Sequence, residues 1–147
     1  MSKETLRSAL LAVILTIAGT AWLFLRRGEV NLHIVNKAVA VTALLLIGIT
    51  MVAPRSHRRS LGLTGAFCAI LHSGASLLAL ADRFPWPGWF VDHAPSMGVA
   101  LLASAMLLAM VAASFGMKWK RPLRWGLPLF VAGALHMASL KAPGWQL

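Results

Sequence analysis

The chain holds one cysteine, Cys68, and so cannot be a disulfide scaffold. Only four of its 147 residues are acidic. Asp82 and Asp92 stand apart in a loop-like stretch, too few and too isolated for acid–base catalysis by paired carboxylates. Charged residues make up 12% of the chain, roughly half the share of an ordinary soluble domain. There is no P-loop, no Ser-His-Asp set and no metalloprotease motif, so no catalytic residues are assigned. Disorder is excluded by the opposite kind of excess, a 59% hydrophobic content.

What is present is apolar and basic. Mean hydropathy is +0.74, and fourteen Lys and Arg leave a net charge of +10. A soluble nucleic-acid binder could carry the charge but not the apolar load. The composition therefore points to an all-α polytopic membrane protein, one domain over residues 1–147, with the lipid bilayer as its surroundings and no nucleic-acid partner. Its size leaves room for about five crossings and little else. Five apolar segments follow, at residues 8–25, 34–53, 61–81, 97–117 and 122–140. Each approaches the ~20 residues that cross the hydrocarbon as a helix, the form that satisfies its own backbone there. The first segment is longer than a signal-peptide core and ends in Arg26-Arg27 rather than a cleavage site, so it is read as a retained helix.

The basic residues sort by side. Lys3, Arg7, Arg55, Arg58, Arg59, Lys118, Lys120, Arg121 and Arg124 fall before or between segments at one membrane face. Arg26, Arg27, Lys37, Arg83 and Lys141 fall at the other. The positive-inside rule places the first set in the cytoplasm, with the N-terminus inside and the C-terminus outside. Trp22, Trp86, Trp89, Trp145, Trp119 and Trp125 fall near segment ends, as aromatic belts require. Residues 82–95 form the longest connection, on the outer side.

Ionisable groups deep in a bilayer are functional candidates by default. His72, midway along the third segment, and His136, well inside the fifth, lie about 18 Å and 21 Å from the inner boundary at 1.5 Å per residue. Two imidazoles at one height on different helices suit the axial positions of a haem iron. Both stand on stripes of small residues: Gly65, Cys68, Ala69, Ala75 and Ser76 around His72, and Ala132, Gly133 and Ser139 around His136. The same stripes also serve plain helix packing, and Cys68 suits a small buried packing role. Asn36 is open to capping a helix or bridging two. His33 and His93 suit solvated outer positions, and Lys37 suits snorkelling to the interface. No CxxCH is present for covalent haem attachment, and two histidines alone under-coordinate zinc.

The wording of three stretches adds a resemblance. Residues 58–80, RRSLGLTGAFCAILHSGASLLAL, resemble the third helix of ferric reductase-like transmembrane domain proteins: a basic pair, Leu-Gly-Leu, an aromatic, then a ligand histidine. Residues 36–54, opening Asn36-Lys37-Ala38, resemble the preceding helix of bacterial members. Residues 118–136, KWKRPLRWGLPLFVAGALH, resemble the family's basic, Trp-containing loop and fifth helix. The family includes the haem-bearing membrane subunit of the periplasmic methionine sulfoxide reductase system. The resemblance implies b-type haem held by His72 and His136 in a bacterial inner membrane. It also implies electron transfer from quinol or a separate flavoprotein to an acceptor, within an oxidoreductase system and with a redox partner protein. A quinone is the further cofactor it suggests. The chain departs from the family at Leu123, where members often carry a second histidine, so one haem is expected. It also departs in ending soon after the fifth segment, without a sixth helix or a flavin domain. A cofactor-free scaffolding subunit and, last, a small transporter are the alternatives. A transporter would want a polar path or buried carboxylate that no segment supplies.

Overall fold

The computed structural model describes residues 3–28, 31–79, 94–115 and 126–139. The fold is all-α. Five helices occupy the described residues: α1 Lys3–Arg27, α2 Leu32–Val52, α3 Arg55–Ala79, α4 Ala94–Ser114 and α5 Gly126–Ser139. The first four are long and apolar enough to cross a membrane. α5, with 14 described residues, is shorter. The chain divides into two compact units, Met1–Arg83 and Phe84–Leu147.

Local chemistry sets the helix ends in the first unit. α1 ends at Gly28, whose φ of 75° is left-handed, and the Gly28 N–H donates back to the Phe24 carbonyl at 2.8 Å. Glycine takes this conformation without the Cβ clash other residues suffer. α2 begins at Asn31, whose side chain accepts from the Ile34 N–H at 3.0 Å, the usual way a short polar residue satisfies a helix's first unpaired donors. α2 ends at Ala53, and Pro54, which cannot continue the hydrogen-bond ladder, separates it from α3.

Here the structure differs from the expected segment boundaries. Arg55, Arg58 and Arg59 are not in a loop; they form the first turns of α3, which begins six residues before residue 61. Lys3 and Arg7 likewise lie inside α1. Hydropathy locates the apolar stretch, whereas a helix continues into the polar interface as long as its residues are good helix formers. Arg58 has a specific task there. Its Nε donates to the Ala53 carbonyl at 2.7 Å and Nη2 donates to the Met51 carbonyl at 3.3 Å, covering the C-terminal end of α2 with a cation. At the other end of α1, the Arg26 guanidinium lies 4.5 Å from the Trp22 ring centroid, one turn away. That contact gives this cation a local partner.

α2 packs antiparallel to both α1 and α3. Thr16 Oγ1 donates to Thr42 Oγ1 at 3.1 Å, and Ala38 meets Gly19; Gly62 faces Thr50, while Asn36 reaches Ser76. α1 and α3 run parallel, joined near one end by Ser8 and Thr64, whose hydroxyls lie 3.0 Å apart. The Glu4 carboxylate lies against the His57 ring at that same end, without hydrogen-bond alignment, and Arg7 Nη1 lies 3.4 Å from Glu4. Ala12, Ala43, Leu46, Ala53, Leu61 and Cys68 form the core of this unit. The outward faces are apolar: Val13, Ile14 and Ile17 on α1 and Phe67, Ile70 and Leu71 on α3 are exposed. Bare aliphatic surface of this extent is what hydrocarbon, not water, accommodates.

In the second unit, α4 carries Pro95 and α5 carries Pro128 in the first turn, where a missing N–H costs nothing. α4 and α5 pack on each other. The expected start of the last helix at residue 122 and most of the outer connection 82–95 lie outside the described residues.

Candidate functional site

His72 stands on α3 five residues beyond the exposed Phe67, on the face turned to α2. Its ring is half-buried, and its Nδ1 meets two oxygens of one residue: Asn36 Oδ1 at 3.0 Å and the Asn36 backbone carbonyl at 3.2 Å. Asn36 is itself 7% exposed, and its Nδ2 donates to Ser76 Oγ at 2.9 Å. Ser76 follows His72 by one turn on the same face of α3. One α2 side chain thus grips two α3 residues.

The carbonyl contact sets the direction of the hydrogen bond at Nδ1. A backbone carbonyl oxygen can only accept, so Nδ1 must donate and carries the proton. The Asn36 amide must then present Oδ1 to His72 and Nδ2 to Ser76, the orientation that satisfies all three groups together. Neutral imidazole protonated on Nδ1 has its basic lone pair on Nε2. That is the arrangement in which metal-ligating histidines are held, with the second ring nitrogen donating to a carbonyl or carboxylate. The donor chemistry at His72 therefore fits a haem iron ligated through Nε2.

The small residues near His72 divide in use. Gly65 lies against α2 so closely that a Cβ there would sit 3.1 Å from Ile47 Cγ1, 3.2 Å from Leu46 Cβ and 3.3 Å from the Ala43 carbonyl oxygen. Cys68 is buried in the core cluster, and Ala69 packs against that cluster. The room left by Gly65 is filled by α2, and Cys68 has the packing role its size suggests. Ser76 holds Asn36, and Ala75 is half-buried.

His136 belongs to the second unit, in the last turn of α5, and is half-buried. Leu129 and Ala132, two turns and one turn earlier on its face, are buried, and Gly133 beside them is half-buried. Ser139 closes α5, and its side chain lies outside what is described. Among the described residues no group of three or more His, Cys, Asp and Glu side chains could hold a metal ion. His33 and Lys37 are half-buried in the first turns of α2, and His93 lies outside the described residues.

The residue that sequence reasoning weighted too lightly is Asn36. Its signal was present: an amide in the second turn of an apolar span, 36 residues before a membrane histidine, with no need to cap because Asn31 does so. Only the antiparallel register of α2 on α3 connects the two. No protein-family model, curated protein or solved structure matches this chain. A functional reading accordingly rests on the chain's own residues.

Proposed function

We propose that this chain is a membrane haem b electron-transfer protein of the ferric reductase-like type, in the inner membrane of a bacterium, with His72 and His136 as the residues that would hold one haem. It receives electrons from quinol or a separate flavoprotein and passes them to an acceptor, as the membrane redox subunit of an oxidoreductase system with a partner protein. The observation that carries this reading is the double acceptor on His72 Nδ1, which makes Nε2 the basic nitrogen of a half-buried imidazole. Haem, when bound, supplies a one-electron ferric/ferrous couple. The chain's part is to supply the imidazoles, to fix the tautomer of His72, and to surround the group with apolar helices.

The test is a reduced-minus-oxidised spectrum of detergent-purified protein with haem-to-protein stoichiometry. One low-spin b-type haem per chain is the expected result, and His72→Ala or His136→Ala removes it. Protein correctly inserted yet colourless after expression with ample haem refutes the reading.

One observation favours a second reading, a cofactor-free scaffolding subunit. Gly65 and Cys68, on the face of His72, are consumed by helix packing. On that reading His72→Leu and His136→Leu leave the assembly with a partner protein intact and active.

A further inference from the structure

We infer that Asn36 is the positioning residue for His72: it locks the imidazole as the Nδ1–H tautomer and sets how strongly Nε2 donates to iron. This deepens, and rests on, the haem reading above. A lone hydrogen bond between two membrane helices would be an ordinary packing device. Three features make this one directional. First, Asn36 offers His72 two acceptors and no donor, because the backbone carbonyl at 3.2 Å dictates which end of the amide faces the ring. Second, the far end of the amide is anchored to α3, where Nδ2 donates to Ser76 Oγ at 2.9 Å. Third, Asn36 is almost wholly buried, so water does not compete for these groups and an unpaired amide would be costly.

The electronic consequence has a sign. Two oxygens drawing on the Nδ1 proton push electron density onto Nε2 and raise its basicity as a ligand. A more basic axial ligand stabilises ferric over ferrous iron, so the Asn36 grip lowers the reduction potential. Asn36 touches neither iron nor electron donor; it acts through His72. Ser76 acts one step further out, by holding the amide in place.

Two variants and one label test this. Asn36→Leu removes the amide while keeping the volume, and it leaves the weaker backbone acceptor in place. The expected result is retained haem with affinity lowered about tenfold, the lower end for such supporting groups. The potential rises by about 59 mV, a tenfold shift in the one-electron equilibrium. Ser76→Ala moves the potential in the same direction by less, and it keeps the test open if Asn36→Leu does not fold. Haem-bearing variants whose potential and low-spin signature match the wild type overturn the inference, even if their stability falls, because a purely structural clamp would move stability alone. The tautomer is read separately by nitrogen NMR of haem-free protein labelled with ¹⁵N-histidine. His72 protonated at Nδ1 in the wild type, with that preference weakened in Asn36→Leu, where only the backbone acceptor remains, supports the inference. His72 protonated at Nε2 overturns it. Wild-type protein that takes up no haem refutes the proposed function instead, and the NMR result still decides whether Asn36 governs the ring.

Discussion

Substituting Gly65 by alanine tests how the α2–α3 seam is built. The added methyl would sit at 3.1 Å from Ile47 Cγ1, 3.2 Å from Leu46 Cβ and 3.3 Å from the Ala43 carbonyl oxygen. Carbon atoms prefer roughly 3.5–4.0 Å. Ile47 can rotate its side chain away, but Leu46 Cβ and the Ala43 carbonyl are tied to the α2 backbone. Relief therefore requires α2 to retreat by a few tenths of an ångström, loosening the neighbouring contact of Gly62 with Thr50. Overpacking of this kind costs about 1–3 kcal/mol. Alanine recovers up to about 1 kcal/mol through helix propensity. The net expectation is destabilisation of about 1 kcal/mol, near a fivefold shift in the folding equilibrium. Gly74, on the same helix, has nothing within 4 Å of its would-be Cβ among the described residues. Gly74→Ala should therefore keep the propensity gain without the clash, so the two variants should differ by about 2 kcal/mol. Reversible denaturation in mixed micelles, followed by tryptophan fluorescence, measures both. Equal stability of the two variants would refute the close approach of α2 to Gly65 and with it the assignment of that glycine to packing.

Two further expectations follow from unit one. A double-mutant cycle of Ser8→Ala and Thr64→Ala should give a coupling of about 0.6 kcal/mol, the usual size for an interhelical hydroxyl pair in a membrane; a coupling indistinguishable from zero would mean that α1 does not dock on α3 in this register. Arg58→Ala removes the cation bonded to the Ala53 and Met51 carbonyls, and should cost about 1 kcal/mol after allowing for its exposure. Arg55→Ala removes the same charge from the same helix and should cost less in the same denaturation assay. Matching losses would show that only net charge matters there.

Much of the architecture was readable from local chemistry. The apolar runs are consecutive, so their number and approximate positions follow from composition along the chain. Gly28, Asn31 and Pro54 act within a turn of themselves, and they end or begin helices where such residues do elsewhere. The arginines at positions 55, 58 and 59 were legible as charges but not as helix. Hydropathy is blind to a helix that continues through the interface, and the carbonyls that Arg58 covers belong to another helix.

The site divides along the same line. Sequence alone marked His72 as a buried ionisable residue on a stripe of small neighbours, because burial in an apolar span and helical spacing are properties of one segment. It could not say whether Gly65 and Cys68 made room for a cofactor or for a helix, since a small side chain serves both, and the neighbour decides. α2 is that neighbour, and it fills the space at Gly65. Nor could sequence join Asn36 to His72. Hydrogen-bond partners 36 residues apart depend on how far one antiparallel helix slides along the other, and a shift of a single turn, about 5.4 Å, would take the amide out of reach of both His72 and Ser76. Segment chemistry decided what could cross a membrane; the register of α2 on α3 decided which nitrogen of His72 carries the proton.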